Sequence, residues 1–551
     1  MIEHVEVQVL LLLLVATVVG MGARRLRLPY TLALVVAGVG LGLMRLGVLS
    51  DVELNADLLL LLLLPALLFE AAFHIDFREF RRNFVPIFVL AVPGVLAAAA
   101  ATAALLYVGI GMTGVMAGFG WREALLMSAV LAATDPVSVL ALFKQFGVAK
   151  RLYLVVEGES LLNDGVAVVL FVIITGVYGL ESHGAALGPD DGLLPFAFET
   201  FFRMGLGGAL VGVSLGGAFS FITRQIDDHL IETTLTTLLA YGSFLVAEML
   251  HTSGVLSTVF AGIVAGSYGA RVGMSASSRN AVEDFWEYGA FLANSFIFLL
   301  VGLELEPMGL VTEGAAILVA FIAIVIARGV VIYLSVPIAN RFAQPMPPSW
   351  KAVLSWGGLR GSLSMVLILT LPVDFAPRGV LVTLVFGVVG VSLFVQGLTM
   401  GPLLRKLGLL EGKHRHDAYE RARATSIMAR RALHELAAVE REGLVQAAVA
   451  ERLRAWYGER EQHAEREAAE ALGAAQFGEQ LAEAIRRLAE AERAGVREAE
   501  HNAIVDIEVA ERLDRELVLR LAALDRLEGT APEQLEDALR AILTPRDADA
   551  S

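Results

Sequence analysis

The chain has 551 residues, 56% of them hydrophobic and 18% charged, with a mean hydropathy of +0.65, more apolar character than a water-soluble domain carries. It contains no cysteine and has a formal net charge of -15, which excludes disulfides, thiolate metal sites and cysteine nucleophiles and argues against nucleic acid as a partner. Charge is unevenly placed: residues 1–410 hold 22 Lys/Arg and 28 Asp/Glu, and the last 141 hold 21 and 30, so the chain divides near residue 410 into a membrane part, 1–410, and a soluble part, 411–551.

A helix needs about 20 apolar residues to cross the hydrocarbon core. Runs of that order predict thirteen spans, at 6–23, 28–46, 57–74, 84–108, 122–143, 153–180, 196–222, 231–250, 254–270, 281–303, 313–334, 350–372 and 379–402. The stretch 231–270 is the least clear, because His251 to Gly254 is a short polar break that also suits one bent hairpin. The first run lacks the basic start and small-residue cleavage site of a signal peptide and reads as a helix.

With the amino terminus outside, alternate loops collect Arg24, Arg25, Arg27, Arg78, Arg81, Arg82, Lys144, Lys150, Arg151, Arg224, Arg271, Arg279, Arg341, Lys351, Arg405 and Lys406, sixteen of the 22 basic residues. Cytoplasmic loops retain positive charge, so an odd number of crossings places the carboxyl-terminal tail in the cytoplasm. Thirteen spans divide into six, a linker and six more, which makes the second set an inverted copy of the first. Transporters of that design bind substrate near the midplane between broken helices. The fifth span holds Ala-Thr-Asp-Pro (133–136) and the twelfth holds Gly-Gly-Leu-Arg-Gly (357–361), both helix-interrupting at mid-span. The two halves share no clear residue-level identity, so topology and break placement alone carry the repeat.

An ionisable group inside a bilayer costs several kcal/mol unless it faces water or a partner, which singles out Asp135 and Asp164. The sixth span opens Glu157-Gly-Glu-Ser-Leu-Leu-Asn-Asp164. Helical spacing there sets Ser160 one turn from Asp164 and Glu159 one turn from Asn163. A hydroxyl, an amide and a carboxylate are hard oxygen ligands of the kind an alkali cation requires, and Thr134 can add its hydroxyl or a carbonyl freed by the break. A single carboxylate that holds either a cation or a proton is the simplest exchanger. Arg328 and Arg360 never lose their charge, and their expected partners are Glu159 and Asp135 respectively. Glu70 with His74 and Glu248 with His251 read as interfacial, and Glu304 and Glu306 as an outer mouth that concentrates cations.

Taken in order, Ala-Thr-Asp-Pro, Glu-Gly-Glu-Ser-Leu-Leu-Asn-Asp-Gly and Gly-Gly-Leu-Arg-Gly resemble the motifs of the monovalent cation:proton antiporter 1 family, the NhaP-type sodium/proton exchangers, over roughly residues 5–410. The resemblance implies a homodimer in which a six-helix core moves against a dimerisation domain like an elevator. It implies Asp164 as the exchanging carboxylate, Ser160 and Thr134 as further Na+ ligands, and a polar pair Asn163 and Glu159 steadied by Arg328. Asp135 and Arg360 would neutralise helix ends at the crossing of the broken spans. It further implies electroneutral exchange of one Na+ for one H+ in a prokaryotic plasma membrane, with no resident cofactor, membrane lipid as surroundings and K+ or Li+ as alternative cations.

Beyond residue 411 the composition turns to Ala, Glu, Arg and Leu, with charged residues one turn apart at Glu461 and Glu465, Arg486 and Glu490, and Glu511 and Arg515. Such sequence is helical and soluble. Leu517, Leu519, Leu521 and Leu524 suggest packed amphipathic helices, and the lack of a sustained heptad favours a bundle over a long coiled coil. No Gly-rich nucleotide fingerprint is present. His414, His416, His434, His463 and His501 are candidates to sense pH, with exposed histidines of no role the favoured reading, and regulation or dimer stabilisation is the expected role of this part. A channel would need a continuous pore and a repeated filter, and an enzyme a metal or nucleophile motif within the spans. Neither pattern occurs, so the reading is an all-helical carrier and not an enzyme.

Overall fold

The computed structural model describes residues 2–26, 30–44, 59–180, 187, 192–226, 228–274, 276–304, 307–409, 411–441 and 445–471, with residues 488, 492, 495, 496, 506, 509, 512 and 513. Every regular element among them is helical. Contacts divide the chain into two units, Met1–Leu410 and Glu411–Ser551.

The first unit begins with α1 (Ile2–Leu26) and α2 (Tyr30–Met44), then α3 (Leu64–Phe73), entered through a π-helical turn at Leu59–Leu63. A short α4 (Phe77–Arg82) follows. Its start is capped by the Asp76 carboxylate, which accepts the Arg78 N–H, and it carries Glu79 in the first turn and Arg81 and Arg82 in the last, the arrangement that suits the helix dipole. The next long helix runs as α5 (Phe84–Val89), a π-turn at Leu90–Gly94 containing Pro93, α6 (Val95–Leu106) and a second π-turn at Tyr107–Met112. The fifth expected span is two half-helices, α7 (Trp121–Val130) and α8 (Val137–Phe146), the latter closed by Gly147 in the left-handed conformation. After it come α9 (Lys150–Val177), α10 (Leu193–Thr223) and α11 (His229–Met249).

The polar break at 251–254 separates two helices. α11 ends before His251, which has φ 52, and α12 (Gly254–Val264) starts on a Ser253 cap and continues as a π-helical stretch at Ala265–Gly273. The Glu248 carboxylate accepts the Gly254 N–H across that turn. The chain continues as α13 (Ala276–Glu304), α14 (Pro307–Thr312) and α15 (Gly314–Phe342), then a second broken segment, α16 (Pro348–Trp356) and α17 (Ser362–Leu369), and ends with α18 (Arg378–Lys406). Among the described residues seven helices are long and apolar enough to cross a membrane, and shorter apolar helices lie at Gln8–Ala23, Tyr30–Met44, Leu61–Phe73 and Gly254–Gly269. The centre of the unit is α9, buried nearly throughout from Leu152 to Gly176. The side chains of its polar residues therefore have to find partners inside the protein.

In the second unit α19 (Glu411–Arg441) and α20 (Ala447–Ala471) pack against each other. Ala422, Ala429, Ala450 and Ala464 are buried. Arg430 reaches Glu461 at 2.8 Å and Glu465 at 3.0 Å, so those two carboxylates share one guanidinium on the facing helix. Arg454 pairs with Glu440. The expectations for Glu306, Arg486, Glu490, His501, Glu511, Arg515, Leu517, Leu519, Leu521 and Leu524 fall outside the described residues, as do those for the side chains of Glu304, His414 and His416.

Candidate functional site

The two broken segments meet at their unwound centres. The Asp135 N–H donates to the Leu359 carbonyl at 2.8 Å. A Cβ added to Gly361 would stand 2.1 Å from the Asp135 Cβ, and one added to Gly358 would stand 2.2 Å from the Arg328 Nε. Only glycine permits this approach, which gives the Gly-Gly-Leu-Arg-Gly run a steric reason.

Unwinding a helix leaves carbonyls without intrahelical partners, and here those of Ala132, Ala133 and Thr134 are met by side chains. Arg360 Nη1 donates to the carbonyls of Ala132 (2.9 Å) and Ala133 (3.2 Å). The Asn163 amide donates to the same Ala132 carbonyl at 3.0 Å, and Ser160 donates its hydroxyl to the Thr134 carbonyl at 2.5 Å. On the other broken segment, Arg328 Nε donates to the Leu354 carbonyl at 3.0 Å. Asp135 works at the opposite pole: its carboxylate accepts the N–H of Val137, the first residue of α8, at 2.9 Å. The expected Arg360–Asp135 pair is therefore not how these charges are used. Arg360 serves a helix end that carries partial negative charge and Asp135 one that carries partial positive charge.

The other expected pair is present. Arg328 grips Glu159 through both forks, Nη1 to Oε1 at 3.2 Å and Nη2 to Oε2 at 3.0 Å, with the side chains 9% and 2% exposed. Glu159 is thus committed to Arg328, while its spacing partner Asn163 turns toward the unwound segment. A cleft lined in part by Thr102, Ser128, Glu159, Arg328 and Arg360 adjoins the pair.

Asp164 lies one turn beyond Ser160 on α9 and faces the Thr134 backbone N–H. Thr134 is enclosed by polar groups: its hydroxyl is 3.2 Å from the Ser160 Oγ and accepts the Asn163 amide at 3.0 Å. Two buried oxygens at this place have no hydrogen-bond partner, Asn163 Oδ1 and Asp164 Oδ1. Buried oxygens in a native protein are almost always satisfied, and these two stand in adjacent residues beside a serine and a threonine hydroxyl. The four residues singled out as ligands or neighbours, Thr134, Ser160, Asn163 and Asp164, are brought together; Glu159, Arg328, Asp135 and Arg360 form the frame that holds the unwound segments.

An all-helical bundle with two crossed broken segments and hard oxygen donors at the crossing defines a membrane carrier of small ions, and the comparisons with known proteins agree. Residues 9–406 match the model of the family described as sodium/hydrogen exchanger, transmembrane, and the chain belongs to that family. It is 40% identical over 392 residues to the Na(+)/H(+) antiporter ApNhaP of Aphanothece halophytica, covering 70% of this chain and 72% of that one. It is 37% identical over 409 residues to the Na(+)/H(+) antiporter NhaG of Bacillus atrophaeus, covering 74% of each. The fold is similar to that of the sodium proton antiporter MjNhaP1 from Methanocaldococcus jannaschii, with TM-score 0.60, 18% identity and coverage of 74% of this chain and 99% of that one.

Several residues that hold these segments carry no motif in the sequence. Ser392 and Gln396 on α18 bind the second unwound segment (Ser392 Oγ accepts the Arg360 N–H at 2.9 Å; Gln396 Nε2 donates to the Trp356 carbonyl at 3.1 Å). Their spacing of four on a mostly apolar span is the signal the sequence offers. Arg151, read only as a basic loop residue, donates to Asn83 Oδ1 (2.8 Å) and to the carbonyls of Pro345 (3.0 Å) and Gln344 (2.5 Å) and lies 5.4 Å from the Trp350 ring. It ties the start of α9 to the turns before α5 and α16. Glu157 is buried and accepts the Tyr153 hydroxyl at 3.4 Å. Glu70 and His74 pair at 3.5 Å with both side chains partly exposed.

Proposed function

We propose that this protein is a secondary active transporter that exchanges Na+ for H+, one for one, at Asp164. The observation that carries the reading is the pair of partnerless buried oxygens on Asn163 and Asp164 beside the hydroxyls of Ser160 and Thr134. A dehydrated alkali cation needs such oxygens, and the same carboxylate accepts a proton once the cation leaves. Na+ is the assigned cation because ApNhaP and NhaG are named Na(+)/H(+) antiporters.

Charge at the crossing supports the stoichiometry. Three carboxylates, Asp135, Glu159 and Asp164, stand with two guanidiniums, Arg328 and Arg360, an excess of one negative charge. One Na+ or one H+ removes that excess. An unloaded site is left with an uncompensated charge in a medium where that is costly, so the loaded forms are the ones able to cross.

In this reading the seven long apolar helices, the four shorter ones and the two broken segments among the described residues are thirteen spans arranged as two inverted six-helix repeats about a linker, with the amino terminus outside and residues 411–551 in the cytoplasm of a prokaryotic cell. The core carrying the crossing moves against the remainder like an elevator, in a homodimer, and the carboxyl-terminal unit regulates it. The biased loop charges and the family membership support this arrangement.

The test is proton flux in proteoliposomes carrying the full chain, after addition of Na+, K+ or Li+, with the membrane potential clamped at several values. Na+-driven flux that ignores the potential is the expected result. Flux with K+ alone would replace the cation, flux that follows the potential would overturn the one-for-one exchange, and no flux with any cation, in the full chain and in one ending at residue 410, would overturn the reading.

A further inference from the structure

The Thr134 ligand group is only as well placed as the carbonyls that flank it, and two of those, Ala132 and Ala133, hang on the Arg360 guanidinium. What fixes Arg360 lies on α18. Ser392, Gln396 and Thr399 fall at i, i+4 and i+7, one stripe of that helix, and Ser392 and Gln396 are 1% and 3% exposed. Ser392 Oγ accepts the Arg360 backbone N–H (2.9 Å), Gln396 Nε2 donates to the Trp356 carbonyl (3.1 Å), and Thr399 Oγ1 accepts the Trp356 indole N–H (2.8 Å). The stripe thus binds the last residue of α16, Trp356, and Arg360 within the unwound segment.

The same device serves the first break. There α9 supplies Ser160 to the Thr134 carbonyl and Asn163 to the Ala132 carbonyl. On each of the two helices a serine is followed four residues later by a second polar residue, Asp164 on α9 and Gln396 on α18. The difference is chemical: Asp164 keeps an oxygen without a partner, whereas Gln396 brings its own N–H to a carbonyl. The second unwound segment is thus held by donors of the protein itself, while the first faces a carboxylate oxygen that none of them meets.

Resting on the exchange reading above, we propose that Ser392 and Gln396 are positioning residues for the Asp164 site: acting through Arg360 and the Ala132 and Ala133 carbonyls, they set the placement of Thr134 and with it the affinity for the cation. Neither touches the cation, so their loss weakens binding and leaves the turnover of loaded protein in place. Removing a partner that orients a ligand typically costs about tenfold or more in ion affinity.

The experiment measures KM and Vmax for Na+-driven proton flux in proteoliposomes for the wild-type chain, Ser392→Ala, Ser392→Thr and Gln396→Met, with the reconstituted amount of each protein quantified. Ser392→Ala and Gln396→Met are expected to raise the KM for Na+ roughly tenfold with Vmax per molecule unchanged, and Ser392→Thr, which keeps the hydroxyl, to restore the wild-type KM. If Gln396→Met fails to fold, Thr399→Val, at the exposed end of the stripe where the hydroxyl meets the Trp356 indole, is expected to raise KM in the same direction by a smaller factor. Unchanged KM in Ser392→Ala, or a lowered Vmax at constant KM, in a preparation whose wild type exchanges would overturn this inference alone. A wild type with no cation-driven flux would remove the exchange reading and this inference with it.

Discussion

The Glu159–Arg328 pair allows its energetics to be tested apart from the exchanging carboxylate. Both oxygens of Glu159 are engaged, at 3.2 and 3.0 Å, and the two side chains are 2% and 9% exposed. Glu159→Leu leaves a guanidinium without its counter-charge, and Arg328→Met leaves a bare carboxylate. Either change is expected to cost about 3–5 kcal/mol, the penalty for an uncompensated buried charge. The double variant Glu159→Leu/Arg328→Met removes both charges together. What it still loses is the Nε donor to the Leu354 carbonyl, which leaves one buried acceptor unmet at about 1–3 kcal/mol. The double variant is therefore expected to be more stable than either single one, with non-additivity of at least about 2 kcal/mol. It removes one charge of each sign, so the excess at the crossing is unchanged and Na+-driven proton flux is expected to persist. Unfolding in mixed micelles, followed by tryptophan fluorescence, measures the first quantity, and proteoliposome flux the second. Single-variant effects that simply add in the double would show that the two charges do not compensate one another, and loss of flux in a folded double variant would show that exchange needs the pair.

Three further outcomes follow from the same geometry. Gly361→Ala places a methyl group 2.1 Å from the Asp135 Cβ and must push the two unwound segments apart; exchange should fall at least tenfold by the scale of an ångström's misplacement, whereas Gly379→Ala, with nothing within 4 Å of the added carbon, should behave as wild type in the same flux assay. Because Na+ and H+ compete for one carboxylate, the apparent KM for Na+ should rise as pH falls, approaching about tenfold per pH unit with Vmax constant; a KM independent of pH would mean separate sites. In the carboxyl-terminal unit, Arg430→Ala breaks pairs whose guanidinium is 66% exposed, and exposed pairs contribute little, so circular dichroism of the isolated segment 411–551 should show a melting change of no more than a few degrees.

Much of the frame was legible because breaks and intramembrane charges are written in composition. Pro136 and the glycines at 357, 358 and 361 marked the two unwound segments, and the rarity of buried charge led directly to Asp164, Glu159 and Arg328. The partner of Arg360 was not legible. A charge count suggests a carboxylate, but unwinding α7 exposes carbonyls, which carry no residue identity, and Arg360 binds those. The bracing stripe on α18 was visible only as two polar side chains four apart, a spacing that gains meaning once the opposite segment is known to be unwound. The π-helical turns at Leu59–Leu63, Tyr107–Met112 and Ala265–Gly273 contain no proline, unlike the turn around Pro93, and had no signal of their own.

The most direct test of the central claim is Na+ uptake and proton release measured together in proteoliposomes for the wild-type chain and for Asp164→Asn, an isosteric change that removes the charge and keeps the volume. The expectation is one proton released per Na+ taken up by the wild type, and loss of both movements in a variant that still folds. Coupled Na+ and H+ movement surviving in Asp164→Asn would contradict it and place the exchanging carboxylate elsewhere.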